Sequence, residues 1–420
     1  MQSFNPKLGF NPKSMHPKRL ALLAGMLSLA LIGQHTLLAD QPAVASANPE
    51  VTPAPLPPLP PAMGVPAPGP KTDAPYAPLA LLAGGVVVPL YPPDSPYLNK
   101  DKVREPEKYN FYNPPNKGLY LTGIHNPSIE FHAGDGQLNT GATIILAAGG
   151  AHQRLGVESE GIDAVYYFSN FGINTVILRN RLKSDGYDPK TDEVYDALQA
   201  IKIVRAYAKQ WKLDPNKIGI MGFSAGAELA AATTLQWADF DKKNDVPSNP
   251  FAKVSSRPDF AALIYPGPSQ FSRGGTPVIP RDIPPSFITC AGWGDAIHAL
   301  WATEYFNAML ADGVPNVEMH IYARGHHPGD KTKPDEPPSS GGLSDRGFIA
   351  YGKWGERYLD WFKDLGFMQA PGIETQAAKD VAANLGRLKL SERWHPPHPA
   401  GSPSATPAAA PAADTTKKAP

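Results

Sequence analysis

The chain has almost no cysteine, no excess of charge of either sign, and no apolar run that would span a bilayer comfortably. Cys290 is the single cysteine, so an internal disulfide is excluded and the fold depends on packing. Lys and Arg together number 39, as do Asp and Glu, and no long basic run occurs. This balance gives no support for binding nucleic acid or an anionic membrane surface. A length of 420 residues suffices for one large α/β domain or two smaller ones.

The first 39 residues have the pattern of an export signal. Lys18 and Arg19 precede an apolar stretch at 20–33, and small residues suited to cleavage follow, ending at Ala39 or Ala45. The alternative is an uncleaved membrane anchor, which the shortness of the apolar stretch disfavours. We therefore predict a signal peptide at 1–39 and an exported protein, periplasmic or extracellular, that contacts a membrane only if the signal stays uncleaved.

The 48 prolines are clustered, and the clusters indicate where the folded part stops. Residues 40–84 are rich in proline and alanine, a composition that favours extended conformations and buries little apolar surface, so a disordered linker is predicted there. A second such stretch at 395–420 is predicted to be a disordered tail. The region 85–370 between them is predicted to be one folded domain, followed by a helical extension at 371–394.

Strand-like and helix-like segments alternate within 85–370. Short apolar runs predict strands at 141–148, 174–180, 217–223, 259–267, 286–292 and 317–323. Helical periodicity predicts helices at 194–211, from 225 onward, at 298–310 and at 352–367. Regular alternation of this kind argues for an α/β fold with a mostly parallel central sheet and helices on both faces. Sites in such sheets gather at the carboxyl ends of strands, so residues just after each strand are the candidates.

One strand end carries the sequence Gly222-Phe223-Ser224-Ala225-Gly226, which has the form G-x-S-x-G. In a very sharp turn from strand to helix, a β-carbon at either glycine would collide with neighbouring backbone. The alternative is an ordinary glycine-lined turn with a helix-capping serine. Because an apolar strand precedes the turn and an alanine-rich helix follows it, we predict that Ser224 is a nucleophile.

Two later strand ends carry an acid, Asp295, and a histidine pair, His326-His327. The chain order Ser, Asp, His is that of the α/β-hydrolase triad. In such a triad an imidazole removes the serine proton, and the carboxylate orients the imidazole and stabilises its cation. Two alternatives remain, since Asp295 could simply cap the next helix, and the histidines could form a metal site with Asp330.

A loop of small residues, LAAGGAHQ at 146–153, follows an early strand. In an α/β-hydrolase the oxyanion hole takes the amide after the nucleophile, here Ala225, and an amide from this loop. Gly150 and Ala151 are the candidate donors. Small residues let backbone N–H groups approach the substrate carbonyl and stabilise the developing negative charge.

Between about residues 87 and 367 the chain resembles the α/β-hydrolases of the acetyl esterase and acetylxylan/feruloyl esterase type. The resemblance is closest in TIILAAGGAH, NTVILRNRL, DPNKIGIMGFSAGAELAA and VEMHIYARGHH. Aligned on EMHIY, the family histidine falls on His327, which leaves His326 as the reserve base, and the family acid falls on Asp295.

The chain departs from that family at four places. Ala151 replaces a glycine, His152 replaces an aromatic residue of the pocket, and Gly294 stands where the family has a second acid. The histidine loop continues as HHPGD and then as a polar insertion at 331–347. Because of these differences, the resemblance does not identify the residues that form the acyl and leaving-group pockets. His152, Phe223 and Trp293 are the candidate substrate contacts.

The resemblance implies an exported serine carboxylesterase that forms an acyl-enzyme on Ser224 and needs no metal or organic cofactor. Its implied substrate is a small-molecule or oligosaccharide ester, such as an acetylated or feruloylated polysaccharide fragment. A prolyl-oligopeptidase-like peptidase is an alternative, disfavoured because no propeller-like repeat precedes the domain. A catalytically inactive hydrolase that binds glycan or the cell envelope is another, suggested by the altered histidine loop and the proline-rich ends.

Overall fold

The computed structural model describes residues 74–111, 118–246, 249–328, 342–343 and 350–386. The predicted signal peptide, the predicted tail, most of the predicted linker and nearly all of the polar insertion lie outside these ranges, as does Asp330. None of the helices within the described ranges combines the length and the apolar character that a membrane crossing requires.

The described residues form a central sheet of eight strands and a separate sheet of two strands. The strands are β1 Val86–Pro89, β2 Lys108–Phe111, β3 Leu119–Thr122, β4 Ser128–His132, β5 Thr143–Ala147, β6 Asn174–Arg179, β7 Ile218–Phe223, β8 Ala261–Ile264, β9 Ser286–Trp293 and β10 Glu318–Arg324. The large sheet has the order β1-β4-β6-β5-β7-β8-β9-β10. β4 runs antiparallel to both neighbours, and the other pairs are parallel. β2 and β3 pair antiparallel.

Helices cover both faces of the sheet. They are α1 Asp163–Ser169, α2 Asp192–Ala206, α3 Ala225–Lys243, α4 Ala296–Asp312, α5 Trp354–Asp364 and α6 Gln376–Asn384, with a π-helical turn at Glu158–Ile162 and 3-10 turns at Lys183–Asp185, Ser272–Gly274 and Tyr351–Lys353. One apolar core joins the sheet to α2, α3 and α4, and a second joins it to α1, α5 and α6. The predicted α/β fold, with a mostly parallel sheet between two helical layers, is therefore confirmed.

Successive side chains of each central strand point to opposite faces of the sheet, so one sheet contributes to two apolar cores. In β5, Ile145 packs into the core of α2, α3 and α4, while Ile144 and Leu146 pack into the other core. Every residue of this strand is buried, as expected for a strand covered on both faces. Among the described residues β10, by contrast, pairs with β9 alone at the edge of the sheet, and its residues are half-buried or exposed.

The predicted boundaries differ from the observed ones where local chemistry ends an element. The strand predicted at 259–267 spans only Ala261–Ile264; Tyr265, directly after it, has a φ of 40°, and Pro266 lacks the N–H that a ladder needs. The helix predicted at 194–211 ends at Ala206, and Trp211 instead stacks on Phe131 with ring centroids 4.4 Å apart. Within the predicted helical extension, α6 packs onto the domain through Ala377 and Val381.

The strand order brings the candidate residues to one edge of the sheet. β5, β7, β8, β9 and β10 are neighbours and run parallel. Their carboxyl ends therefore lie side by side, and the residues that follow each strand converge there.

Candidate active site

Ser224 occupies a strained turn between β7 and α3. Its φ of 52° and ψ of −116° lie where L residues are rarely found, at a cost of order 1–3 kcal/mol. The Ser224 carbonyl accepts hydrogen bonds from the amides of Ala227 and Gly267, both at 3.0 Å, while the Ser224 amide donates to the carbonyl of Ile264 at 3.0 Å. The backbone on both sides thus holds the strained residue in place.

Close backbone contacts require the two glycines of the turn. A β-carbon at Gly222 would lie 2.0 Å from the carbonyl oxygen of Gly226. A β-carbon at Gly226 would lie 2.0 Å from the carbonyl oxygen of Ala147, at the end of β5. Both distances are far below van der Waals contact, so the turn needs glycine at both positions.

Ser224, His327 and Asp295 form a continuous hydrogen-bonded chain. Ser224 Oγ lies 2.9 Å from Nε2 of His327, and Nδ1 of the same ring lies 3.2 Å from Oδ2 of Asp295. An ionised carboxylate can only accept hydrogen bonds, so Nδ1 of His327 carries the proton and Nε2 is able to take the serine proton. Of the two histidines predicted, His327 is thus the one hydrogen-bonded to the serine.

Asp295 keeps its negative charge although it is buried. Burial alone would raise the pKa of this carboxyl, but hydrogen bonds from His298 and His327 outweigh burial and lower the pKa. Asp295 stands at the N-cap position of α4, yet its side chain makes no capping hydrogen bond. The carboxylate instead accepts hydrogen bonds from the two imidazoles. Asp295 is therefore not the simple helix cap that the sequence left as an alternative.

Gly294 precedes Asp295 at the position where the family resemblance implied a second acid. Its φ is 98°, and a β-carbon there would lie 2.0 Å from the carbonyl oxygen of Gly325 and 2.9 Å from Nδ1 of His326. The buried His326 and the adjoining loop therefore leave no room for a side chain at residue 294. The packing in this structure therefore requires glycine at residue 294.

The predicted oxyanion-hole amides belong to the loop after β5 and to the first residue of α3. Gly150 and Ala151 follow β5 with φ of 139° and 56°, and no acceptor among the described residues takes their N–H groups. The N–H of Ala225 is in the first turn of α3, where a helix offers no acceptor. These three N–H groups thus have no hydrogen-bond acceptor among the described residues, and their part in an oxyanion hole stays a prediction.

Glu160, in the π-helical turn, anchors the loop after β5. Its Oε2 accepts the N–H of Gly149 at 2.6 Å, and its Oε1 accepts the hydroxyl of Tyr265 at 2.8 Å. Burial raises the pKa of Glu160, and the two donors act in the opposite direction. The Tyr265 ring in turn meets His327 edge-on at 5.3 Å. Sequence analysis missed Glu160 because a single acid before a helix belongs to no motif.

His152 bridges two helices through its ring nitrogens, and its predicted contact with substrate stays a prediction. Its Nδ1 lies 2.9 Å from Oε2 of Glu193 on α2, and its Nε2 lies 3.3 Å from Oε2 of Glu228 on α3. Carboxylates only accept, so both ring nitrogens carry protons. Burial lowers the pKa of His152, but the two glutamates outweigh burial and raise it to about 9. The imidazolium thus ties the loop after β5 to α2 and α3.

We expect His152→Gln to remove a pH-dependent part of the stability. Because the folded pKa of about 9 lies above the ordinary value of 6.5, the contribution is fully present below pH 6.5 and is lost as the pH rises through 9. The wild-type free energy of unfolding should lose up to about 3 kcal/mol across that window. Urea unfolding at several pH values measures it. His320→Gln is the control, because His320 also pairs with a carboxylate, that of Glu318, but lies on the edge strand β10. If the free energy of unfolding of His152→Gln depends on pH as in the wild type, the ion pairs of His152 do not contribute as described.

The other two candidate substrate contacts have opposite environments. Phe223 is fully buried and packs against Tyr265 and Trp354, with ring centroids 6.0 and 6.1 Å away. It lies beneath the turn of Ser224, so its side chain does not line a pocket, and that prediction is corrected. Trp293 ends β9, two residues before Asp295, and is 76% exposed. It remains a candidate contact.

His298, on the first turn of α4, joins the site although sequence analysis did not single it out. Its Nδ1 hydrogen-bonds to Oδ1 of Asp295, and its ring stacks on His327 with centroids 3.7 Å apart and planes 7° apart. Ligand atoms of Asp295, His298 and His327 lie within 4.8 Å of one another. The nitrogen lone pairs of His298 and His327, however, lie in the two ring planes, which are nearly parallel and separated by stacking, so they do not converge on one ion. The trio therefore does not fit a metal centre.

Known proteins resemble part of this chain. The BD-FAE family model matches residues 137–271, which include Ser224. An acetylxylan esterase of Xylanibacter ruminicola is 32% identical over 127 residues, covering 30% of this chain and 23% of the relative. Endo-1,4-beta-xylanase B of Butyrivibrio fibrisolvens is 30% identical over 108 residues, covering 26% of this chain and 16% of the relative. The chain thus spans less than a quarter of either curated relative.

Solved structures with similar folds include two hydrolases. The acetyl ester-xyloside bifunctional hydrolase from Caldicellulosiruptor lactoaceticus aligns with a TM-score of 0.49 and 25% identity, covering 67% of this chain and 97% of that one. Propionate-bound esterase 2 of Thermogutta terrifontis aligns with a TM-score of 0.47 and 20% identity, covering 63% and 96%. The strand order, the Ser224 turn and the matched BD-FAE segment confirm the family resemblance inferred from the sequence. The chain is thus similar to α/β-hydrolase esterases, and its match to the BD-FAE family model covers residues 137–271.

Proposed function

We propose that this protein is a serine carboxylesterase acting through Ser224, His327 and Asp295. The observation that carries the proposal is the hydrogen-bonded chain from Ser224 Oγ through both nitrogens of His327 to Asp295. A serine hydroxyl is a weak nucleophile until a base removes its proton, and His327 Nε2 is within reach to do so.

In the first half of the reaction, Ser224 Oγ attacks the ester carbonyl carbon as its proton passes to Nε2 of His327. The carbonyl oxygen becomes an oxyanion, which the N–H groups of Gly150, Ala151 and Ala225 are able to stabilise. Asp295 stabilises the imidazolium without taking its proton. When the tetrahedral intermediate collapses, the alcohol leaves with the proton from Nε2 and an acyl ester remains on Ser224.

In the second half, water takes the place of the alcohol. His327 removes a proton from the water, and the resulting hydroxide attacks the acyl ester through a second oxyanion. Collapse returns the proton from His327 to Ser224 Oγ and releases the carboxylic acid. No step needs an electron donor, an acceptor or a further co-reactant.

The proposed substrate is a small-molecule or oligosaccharide ester, with an acetylated xylan fragment as the first candidate. The similarity to an acetylxylan esterase supports this choice of acyl group and alcohol. The exposed Trp293 beside Asp295 offers an indole face to a sugar ring, which supports an oligosaccharide. Feruloylated fragments are the second candidate, from the resemblance described above.

Covalent labelling and an ester panel test the proposal. A fluorophosphonate should label the full chain once, with the adduct on the tryptic peptide that contains Ser224. Turnover of p-nitrophenyl acetate, p-nitrophenyl butyrate and methyl ferulate reports the acyl preference. An unlabelled protein with no turnover would favour the inactive-scaffold alternative, and cleavage of an aminoacyl-proline amide without ester cleavage would favour the peptidase.

Export is part of the proposal and is tested separately. Expressed in a bacterium with an outer membrane, the full chain should be recovered from the periplasm or the medium with its N-terminus at residue 40 or 46. Recovery with an intact N-terminus in the membrane fraction would support the uncleaved anchor instead.

A further inference from the structure

We propose that His298 is a positioning residue of this site, holding the plane of the His327 ring and sharing the Asp295 carboxylate with it. The proposal rests on the proposed function, because it assigns a role in the same catalytic chain. It concerns a residue outside the three that make up the triad.

The Asp295 carboxylate is divided between two imidazoles. Its Oδ2 faces Nδ1 of His327 at 3.2 Å, and its Oδ1 is hydrogen-bonded to Nδ1 of His298. An ionised carboxylate only accepts, so each Nδ1 carries a proton and donates it. The negative charge that stabilises a protonated His327 is therefore also drawn toward His298.

The His298 ring covers one face of His327. The two rings are nearly parallel, with centroids 3.7 Å apart, and Trp301 meets His298 edge-on at 5.1 Å. His298 belongs to α4, whereas His327 lies after β10 in a segment that is neither helix nor strand. A helix-borne ring can thus fix the orientation of a loop-borne one, while Tyr265 contacts the latter edge-on.

Two separable effects follow from this geometry. The stacked ring restricts rotation of His327, which should raise the maximal rate by keeping Nε2 directed at Ser224 Oγ. The second hydrogen bond to Asp295 reduces the support that this carboxylate gives to protonated His327. Loss of the donor alone should therefore make His327 more basic, and loss of the ring alone should lower the rate.

The other titratable groups around His327 and Asp295 are the same in every variant of the test. Glu160 interacts electrostatically with His327, and Cys290 in β9 interacts with Asp295. Burial raises the pKa of Cys290 to about 12 and raises that of Tyr265 well above its usual value, so both stay neutral at acidic and neutral pH. Because no substitution below touches these groups, a shifted profile reports on His298.

Two substitutions separate the effect of the stacked His298 ring from the effect of its hydrogen bond to Asp295. His298→Phe keeps a ring that can stack but removes the hydrogen bond, and His298→Asn places an N–H near the former Nδ1 but removes the ring. The pH dependence of kcat and kcat/KM is measured on the full chain with p-nitrophenyl acetate. His320→Phe is the matched control, because His320 also pairs with a carboxylate, that of Glu318, but on the outer strand β10.

We expect His298→Phe to move the acidic midpoint of kcat/KM upward by on the order of one pH unit. His298→Asn should keep a midpoint near that of the wild type and lower the plateau kcat by about tenfold, with a smaller change in KM. His320→Phe should match the wild type in both. The proposal is overturned if the midpoint of His298→Phe rises by less than half a unit, or if His298→Asn has the wild-type plateau.

A readout without turnover separates this proposal from the proposed function. In full-length Ser224→Ala protein, the Cε1–H resonance of His327 is titrated by NMR with and without His298→Phe. The midpoint should again rise on the phenylalanine substitution. An active Ser224→Ala protein would sink the proposed function, whereas equal NMR midpoints would sink the role of His298 whatever the activity.

Discussion

Replacing Ser224 by alanine should lower kcat for p-nitrophenyl acetate by roughly four to six orders of magnitude. Without Oγ no acyl-enzyme forms, and only binding and the amide donors of the oxyanion hole remain to assist attack by water. Alanine at this position has the same unusual φ as serine, and the lost hydroxyl contacts His327. We therefore expect little change in the free energy of unfolding, so the loss would be one of chemistry.

Ser169→Ala is the matched control for this measurement. Ser169 ends α1 and bonds through its hydroxyl to the carbonyl of Tyr166 on the surface. Its removal should leave kcat and KM as in the wild type. A Ser224→Ala protein that retains more than a hundredth of the wild-type kcat would show that the nucleophile lies elsewhere.

Replacing Gly226 by alanine is the second substitution for which we expect a large effect. Glycine to alanine inside a helix normally stabilises a protein by about 0.5–1 kcal/mol. At Gly226 the added carbon would lie 2.0 Å from the carbonyl oxygen of Ala147 and 2.8 Å from that of Ala148. The end of β5 or the start of α3 would have to move, so we expect a loss of about 3 kcal/mol or more in the free energy of unfolding.

Activity should fall together with stability in Gly226→Ala, because β5 leads into the loop of Gly150 and Ala151. Urea unfolding and kcat, measured on the same preparation, separate the two losses. Gly161→Ala is the control, since its β-carbon would make an ordinary 3.5 Å contact with the Ile177 side chain. If Gly226→Ala unfolds at the wild-type urea concentration, the close approach of β5 to the serine turn is wrong.

Residues close in sequence, or carried by a motif, were predictable from the chain alone. The strand-turn-helix around Ser224 follows from its apolar run, its two glycines and the alanine-rich segment after it. The strand ends at Asp295 and His327 follow from the apolar runs that precede them. These features depend on local chemistry, and the structure places the three side chains in hydrogen-bonding contact.

Contacts made only by the folded chain were not predictable. His298 lies three residues after Asp295, a spacing so common in helices that it indicates no role. The contacts of His152 with Glu193 and Glu228 arise only when folding brings α2 and α3 to its two ring nitrogens. Phe223 stands beside the nucleophile in sequence, but strand alternation turns its side chain into the core.

The proposed base, His327, follows a strand at the edge of the sheet, whereas the proposed nucleophile, Ser224, follows a strand in its middle. Among the described residues β10 has a neighbour on one side, and β7 lies between β5 and β8. Fraying begins at such margins, where fewest contacts must break. We therefore expect β10, and with it His327, to open before β7 on warming, so that ester turnover falls below the temperature at which far-ultraviolet circular dichroism records unfolding.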